Sequence, residues 1–187
     1  MEYLYFPGCC MEASARPYDE SLRAVFAALG VRLTELEDWN CCGATMYMSV
    51  DETTSLAISA RNLALAAQDG HRDLVAPCSA CYTVLLKSNR FLRESPDLKS
   101  KVDHILGEAG LKYDLTVAVR HPLDVLVNDI GLEAVARSAK RSLEGIVIAP
   151  YYGCQIVRPE RGFDHREFPT SMDRLFERLG ARCAYFP

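Results

Sequence analysis

Five cysteines place the tightest demand on how this chain can fold. They are Cys9, then Cys41 and Cys42 after thirty-one intervening residues, then Cys78 and Cys81 after thirty-five more. Thiolates grouped this way are soft ligands, which select zinc, copper(I) or iron–sulfur clusters. A structural zinc is complete with four ligands. A fifth thiolate, and two ligands adjacent in sequence, point instead to a centre holding several irons, with zinc as the alternative. A disulfide framework could use the even count of eight cysteines. Adjacent cysteines and C-x-x-C are metal-type spacings, however, and the rest of the chain reads as a protein of a reducing cytoplasm.

Composition supports that setting. The chain has 187 residues, 49% of them hydrophobic and 25% charged, enough for one generous domain or one and a fraction. The net charge is −4, with no basic tract and no aromatic–basic interleaving, so nucleic acid is not expected as a partner. No apolar run approaches the roughly 20 residues that span a bilayer, so no transmembrane segment is expected. Met1–Phe6 lacks the charged region and long apolar core of a signal peptide.

Short apolar runs alternate with longer helical ones. Tyr3–Phe6 is strand-like and ends at Pro7-Gly8-Cys9. Tyr18–Leu29 carries a helical stripe of Leu22, Val25, Phe26 and Leu29, and Gly30 stops it. Val31–Leu36 alternates as a strand does, Thr53–Gln68 is an alanine- and leucine-rich helix, Asp73–Ala76 is a strand, and Tyr82–Leu92 is a helix. The β-α-β-α-β order predicts an α/β fold, a Rossmann-like parallel sheet flanked by helices. Ligands of such sheets sit outside the carboxyl ends of the strands. Cys9, Cys41, Cys42 and Cys78 all follow predicted strand ends, and Cys81 lies one helical turn past Cys78. The five are therefore expected to converge on one rim.

The second half is less regular. Asp97–Glu108 reads as a helix, Tyr113–Val119 as a strand or extended connector, Pro122–Ile130 and Leu132–Ser142 as helices, and Ile146–Ala149 as a strand. A partial repeat emerges here. Tyr5-Phe6-Pro7-Gly8-Cys9 matches Tyr151-Tyr152-Gly153-Cys154 in character, and Ala28-Leu29-Gly30-Val31-Arg32 matches Arg178-Leu179-Gly180-Ala181-Arg182. The expected organisation is a cluster-binding module over 1–110, a helical connector over 111–145 and the opening of a second module over 146–187. A chain shortened within the second module, whose last strand ends at Phe186-Pro187, is favoured over a natural short form in which this segment completes the fold.

The runs Tyr5-Phe6-Pro7-Gly8-Cys9, Trp39-Asn40-Cys41-Cys42-Gly43-Ala44 and Ala76-Pro77-Cys78-Ser79-Ala80-Cys81-Tyr82 together resemble the B subunit of heterodisulfide reductase and, more broadly, the cysteine-rich CCG-domain family. The resemblance spans the chain, since Pro150–Cys154 and Pro169–Leu175 resemble the opening of that family's second module. It implies a noncubane [4Fe-4S] cluster held by Cys9, Cys41, Cys42, Cys78 and Cys81. Cys154 then matches the first ligand of a second cluster. It implies disulfide or thiol redox chemistry on a small molecule, with electrons arriving from a ferredoxin-type C-like subunit and a flavin-containing A-like subunit. A non-catalytic electron-transfer subunit of another dehydrogenase or reductase complex shares every one of these motifs.

Other residues carry weaker signals. Cys10 is an alternative ligand or a small buried residue, and Cys183 reads as a core residue on a strand. His121 is the one histidine placed to approach the centre and give a proton to a leaving thiolate, against a structural role. His71 reads as a solvated cap and His104 as lying on a helix surface. Arg120, Arg158 and Arg166 suit an anionic substrate, with surface solvation as the default for each. Trp39 reads as packing beside the site, and the Leu/Ala stripe of Thr53–Gln68 as core.

Overall fold

Alternating in–out side chains on short strands, with amphipathic helices between them, produce a sheet covered on both faces. In a computed structural model the described residues are 1–44, 46–70, 73–158 and 162–185. Strands β1 (Glu2–Tyr5), β2 (Arg32–Glu35), β3 (Asp73–Val75) and β4 (Ala118–Arg120) form one parallel sheet in the order β2-β1-β3-β4. The helices are α1 (Cys9–Glu12), α2 (Arg16–Ala28), α3 (Glu52–Gln68), α4 (Ser79–Glu94), α5 (Pro96–Glu108), α6 (Pro122–Asp124), α7 (Leu132–Ser138), α8 (Cys154–Val157) and α9 (Ser171–Arg178). A 3₁₀ turn covers Met46–Ser49. The expected α/β class, with its parallel sheet, is the one found.

The period-2 alternation of β1 divides the core. Leu4 and Phe6 face a layer built with Leu56, Leu63, Leu74 and Leu85, under α3, α4 and α5. Tyr3 and Tyr5 face the other way, packing with Phe26, Val31, Val75 and Val125. Asp51 caps α3, its carboxylate accepting from the Thr54 amide at 3.0 Å.

Three expectations shift in the second half. The strand expected within Tyr113–Val119 is short and late, at Ala118–Arg120. The residues before it are tied to α4 instead: Tyr113 hydrogen-bonds Asn89, whose Nδ2 donates to the Val117 carbonyl at 2.7 Å, and Arg93 donates to the Leu115 carbonyl at 2.6 Å. The sheet thus takes its last strand from inside the 111–145 segment read as a helical connector. The helix from Pro122 widens to a π-helix over Val125–Gly131, and Gly131, at φ 83°, ends it. The following helix stops at Ser138 rather than Ser142, because residues 139–142 are exposed and bury no apolar face.

The internal repeat is visible in the backbone. β5 (Val147–Ile148) pairs with β6 (Arg182–Cys183) in parallel, as β1 does with β2. The α2-to-β2 turn closes with the Val31 amide on the Phe26 carbonyl at 2.9 Å. The α9-to-β6 turn closes with the Ala181 amide on the Phe176 carbonyl at 3.0 Å. Cys183, read as core, is only half-buried, its thiol 3.6 Å from the Asp173 carbonyl. Phe186 and Pro187, on which the reading of a final strand rested, lie outside the described residues, as does His71.

Replacing the fully buried Leu63 with alanine leaves a cavity against the sheet. The expected cost is about 2–5 kcal/mol, read as a lower urea midpoint with the slope unchanged.

Candidate metal centre

Parallel strands deliver their carboxyl ends to one rim, and the cysteines follow from there. β1 ends at Tyr5 and the chain turns at Gly8 into α1, whose first residue is Cys9. β3 ends at Val75, and Cys78 is the N-cap residue of α4. The loop after β2 carries Cys41 and Cys42 to the same place.

The six cysteines of the first half form a ring of neighbouring thiols. Cys9 meets Cys10 and Cys41, Cys10 meets Cys78, Cys78 meets Cys81, Cys81 meets Cys42, and Cys42 meets Cys41. All five expected ligands are therefore brought together. Cys10, whose sequence reading stood between spare ligand and buried filler, is half-exposed and part of the ring. Cys42 and Cys81 are buried, while Cys9 and Cys41 are exposed, so one side of the ring faces the core and the other solvent. Among the described residues no three His, Cys, Asp or Glu side chains are grouped so as to hold a single metal ion.

The thiols differ electrostatically. Cys78 falls to about 5, first because Cys81 donates to it and then because it faces the Cys81 and Ala80 amides at the start of α4. Cys42 falls to about 7, again first through Cys81, with the Ala44 amide adding to it against the effect of burial. Cys81 is held strongly as the thiol, because it donates to both Cys42 and Cys78. Burial raises Cys9, and the neighbouring Cys78 raises Cys10.

Two glycines give the ring its space. Gly8 sits at φ 70°, and a Cβ on it would lie 2.8 Å from the Cys81 sulfur. Gly43 sits at φ 85°, and its Cβ would meet the Ser55 carbonyl oxygen at 3.1 Å. Only glycine fits both the backbone conformation and the approach.

The clamp on the Cys41-Cys42 loop comes from α3, and its sequence reading as a plain core stripe misses it. The buried Asn62 takes both backbone groups of Asn40, accepting from its amide at 2.9 Å and donating to its carbonyl at 3.0 Å. Asn40 in turn donates to the carbonyls of Cys41 and Ile58 at 2.8 and 3.0 Å. Arg61 holds the Asp38 carbonyl at 2.7 Å and pairs with the Asp38 carboxylate. Ser55 donates to the Gly43 carbonyl at 3.2 Å. An amide side chain in the middle of a Leu/Ala helix was the available signal. Trp39 packs edge-on to Phe6 at 5.4 Å, beside the site as read. An apolar groove of about 430 Å³ opens next to Cys41, between Ile58, Arg61 and Ile105.

Other candidates lie apart from the ring. His121 is buried, its Nδ1 accepting from the Leu123 amide at 3.2 Å and its ring stacked on Phe163 at 6.0 Å. Burial lowers it to about 4, with the Pro77 carbonyl opposing. It is neutral at pH 7 with both nitrogens occupied, which suits a cap and not a proton donor to a leaving thiolate. Arg120 is not free for a substrate anion: Asp73, Asp124 and Asp129 surround it. His104 and His165 are exposed. Arg158 and Arg166 line an open 200 Å³ groove with Cys154. Cys154 is exposed and starts α8 behind Gly153, whose φ and ψ of 72° and 155° repeat the 70° and 163° of Gly8. It makes none of the ring's contacts; α8 touches α4 through Thr83, which donates to the Gln155 carbonyl at 2.5 Å.

The donor set tests what the ring can hold. Six sulfurs, no carboxylate or imidazole among their contacts with the described residues, and a backbone cleared of Cβ atoms beside Cys81 fit a thiolate-bound iron–sulfur cluster.

Residues 3–86 match the family described as the cysteine-rich domain CCG. The whole chain is 34% identical to a protein of Archaeoglobus profundus named as like the B subunit of heterodisulfide reductase, and covers 64% of it. Over 99% of its length it is 33% identical to the 8-methylmenaquinol:fumarate reductase membrane anchor subunit of Wolinella succinogenes, again covering 64% of that protein. The B subunit of a CoB-CoM heterodisulfide reductase of Methanosarcina acetivorans is 30% identical over 95% of this chain, which covers 59% of it. The chain thus spans a little under two thirds of the curated relatives it matches. The fold recurs in the crystal structure of a hypothetical protein from Helicobacter pylori, with a TM-score of 0.72 at 16% identity, covering all of this chain and 33% of that one.

In the metal-free protein at about pH 6.5, iodoacetamide is expected to label Cys78 first, because its thiolate is formed and partly accessible. Cys81 labels last. Labelling of Cys78 fades as the pH is lowered through about 5, and mass mapping of the alkylated peptides reads the order.

Proposed function

Because the chain belongs to the cysteine-rich CCG-domain family, we infer that it is an iron–sulfur redox subunit and that Cys9, Cys41, Cys42, Cys78 and Cys81 hold a noncubane [4Fe-4S] cluster. The closed thiol ring carries this reading. It offers more sulfurs than the four a structural zinc uses, and the relatives named for heterodisulfide reductase support a redox role.

Such a cluster, when bound, supplies one-electron chemistry at a potential set by charge, hydrogen bonds to sulfur and exposure. The residues of this chain set those conditions. The amides at the start of α4 and the Ala44 amide point at Cys78 and Cys42 and stabilise thiolate there. Leu56, Ala57, Leu85 and Tyr82 pack in the core cluster with Cys42 and Cys81 and exclude water from that side. Cys9 and Cys41 face outward, where a small disulfide or thiol would approach. The Asn62 and Arg61 clamp keeps the Cys41-Cys42 loop from moving when charge changes.

We assign the chain to disulfide or thiol redox chemistry within a cytoplasmic complex, with electrons from a ferredoxin-type C-like subunit and a flavoprotein A-like subunit. Among the described residues no helix is long and apolar enough to cross a membrane. A second reading has its own support. The relative named for fumarate reductase favours a subunit that passes electrons without cleaving a disulfide. Cys154, behind a glycine with the conformation of Gly8, is the place for a second cluster's first ligand.

Iron, acid-labile sulfide and zinc per chain, measured on anaerobically purified protein with EPR after oxidation, test the cluster. About four irons and four sulfides, lost together in Cys42→Ala, are expected. One zinc without sulfide would make this a structural metal domain.

A further inference from the structure

Helices α3 and α5 pack against each other, yet a groove of about 430 Å³ stays open beside them. Ala57 and Ile58 of α3 and Ile105, Leu106 and Ala109 of α5 form its apolar walls, and Asn40 and Cys41 line it on the loop side. Leu106 is buried, whereas Ile105 next to it is 41% exposed. A single exposed isoleucine is ordinary on a flat surface. This one lines a concave space within the roughly 300–1,000 Å³ of small-molecule sites.

The polar side chains of the groove are engaged by the protein itself. Thr54 donates its hydroxyl to Asp51 at 2.6 Å. Arg61 holds the Asp38 carbonyl and carboxylate and donates to the Asn40 side-chain oxygen at 3.0 Å. The Asn40 side-chain nitrogen donates to the Cys41 and Ile58 carbonyls. A charged ligand would give up its water here and find no partner. An uncharged apolar body gives up nothing and gains burial. The same bonds tie the loop wall to α3, so the groove is formed before anything enters it and little ordering accompanies binding.

The chemistry of the occupant follows from what adjoins the groove. Cys41 is exposed and belongs both to the groove wall and to the assigned ligand set. Resting on the cluster reading above, we propose that the groove binds the uncharged apolar body of a sulfur compound and holds the compound's sulfur at the Cys41 side, where the centre faces solvent. Binding here is non-covalent; no bond forms or breaks in the groove. Its role is selection: alkyl or aryl substituents on the sulfur are favoured, and charged ones stay in water.

Isothermal titration of the anaerobically purified full chain tests this, with dimethyl, diethyl and dipropyl sulfide as probes and iron and sulfide counted on the same sample. Thioethers do not exchange with protein thiols. Affinity is expected to rise by roughly fourfold per added methylene, the equivalent of ~0.8 kcal/mol for each buried CH₂. Ile105→Asp is expected to abolish that series with iron, sulfide and circular dichroism at wild-type levels. Ile146→Asp, similarly exposed and outside the groove, keeps it. Ala109→Trp, which fills the groove from the end of α5, replaces Ile105→Asp if that variant does not fold. Dipropyl sulfide is expected to shift the EPR g values of the oxidised protein, and dipropyl ether, which lacks the sulfur, to leave them unchanged. Equal affinity for the three sulfides, no binding, an unaltered series in the folded groove variant, or an EPR spectrum indifferent to dipropyl sulfide overturns the proposal, and the cluster reading stands wherever iron and sulfide are present. A sample with the full chain-length series and no iron or sulfide keeps the groove and overturns the cluster reading instead.

Discussion

Parallel pairing of β1 with both of its neighbours is the constraint on which the centre depends. Tyr5 is level with Glu35 of β2 and with Val75 of β3, so three strands end side by side and point the same way. Each following segment starts from the same rim, and residues far apart in sequence become neighbours. An antiparallel sheet would send alternate strand ends to opposite edges and no ring could form. The cost of a parallel sheet is that both faces need cover, which α3, α4 and α5 provide on one side and α2 with the π-helix on the other.

At the rim, burial and polarity compete. Cys42 and Cys81 are buried in a predominantly apolar cluster, where a lone thiolate would be expensive. The ring resolves this by giving each sulfur two sulfur neighbours, and Cys81 serves both Cys42 and Cys78 as donor. Amides at the start of α4 do the rest for Cys78. The loop that supplies Cys41 and Cys42 has no strand to hold it, and Asn62 substitutes for one by pairing with both backbone groups of Asn40.

Most of the first half was legible because its signals are local and agree with one another. The stripe of Leu22, Val25, Phe26 and Leu29 with Gly30 behind it gave α2 nearly to the residue, and the strand runs before Cys9 and Cys78 fell where expected. Convergence of Cys9, Cys41, Cys42 and Cys78 followed from strand order, and that of Cys81 from its place one helical turn past Cys78. What escaped depends on side chains meeting across the fold. Asn62 looked like one polar residue in a core stripe, and its partner Asn40 lies twenty-two residues away. Arg120 carried the right chemistry for an anion, but three aspartates from two other segments and its own turn claim it. The late onset of β4 came from Asn89 and Arg93 of α4 capturing the preceding backbone, a competition no propensity scale records. Cys10 was undecidable locally, since neighbouring helical positions differ in direction and only the tertiary path of α1 selects the one taken.

The bridging position of Cys81 also orders events in time. Cys81 is the last of the ring cysteines to be synthesised, and it alone joins Cys42 to Cys78. At typical translation rates about 2–8 s separate the appearance of Cys42 from that of Cys81. Throughout that interval Cys9, Cys10, Cys41 and Cys42 are present without Cys81, and the third strand and Cys78 emerge only near its end. Closure of the site therefore waits for Cys81, and until then the thiols already made stand without the neighbour that joins the two later strands' cysteines.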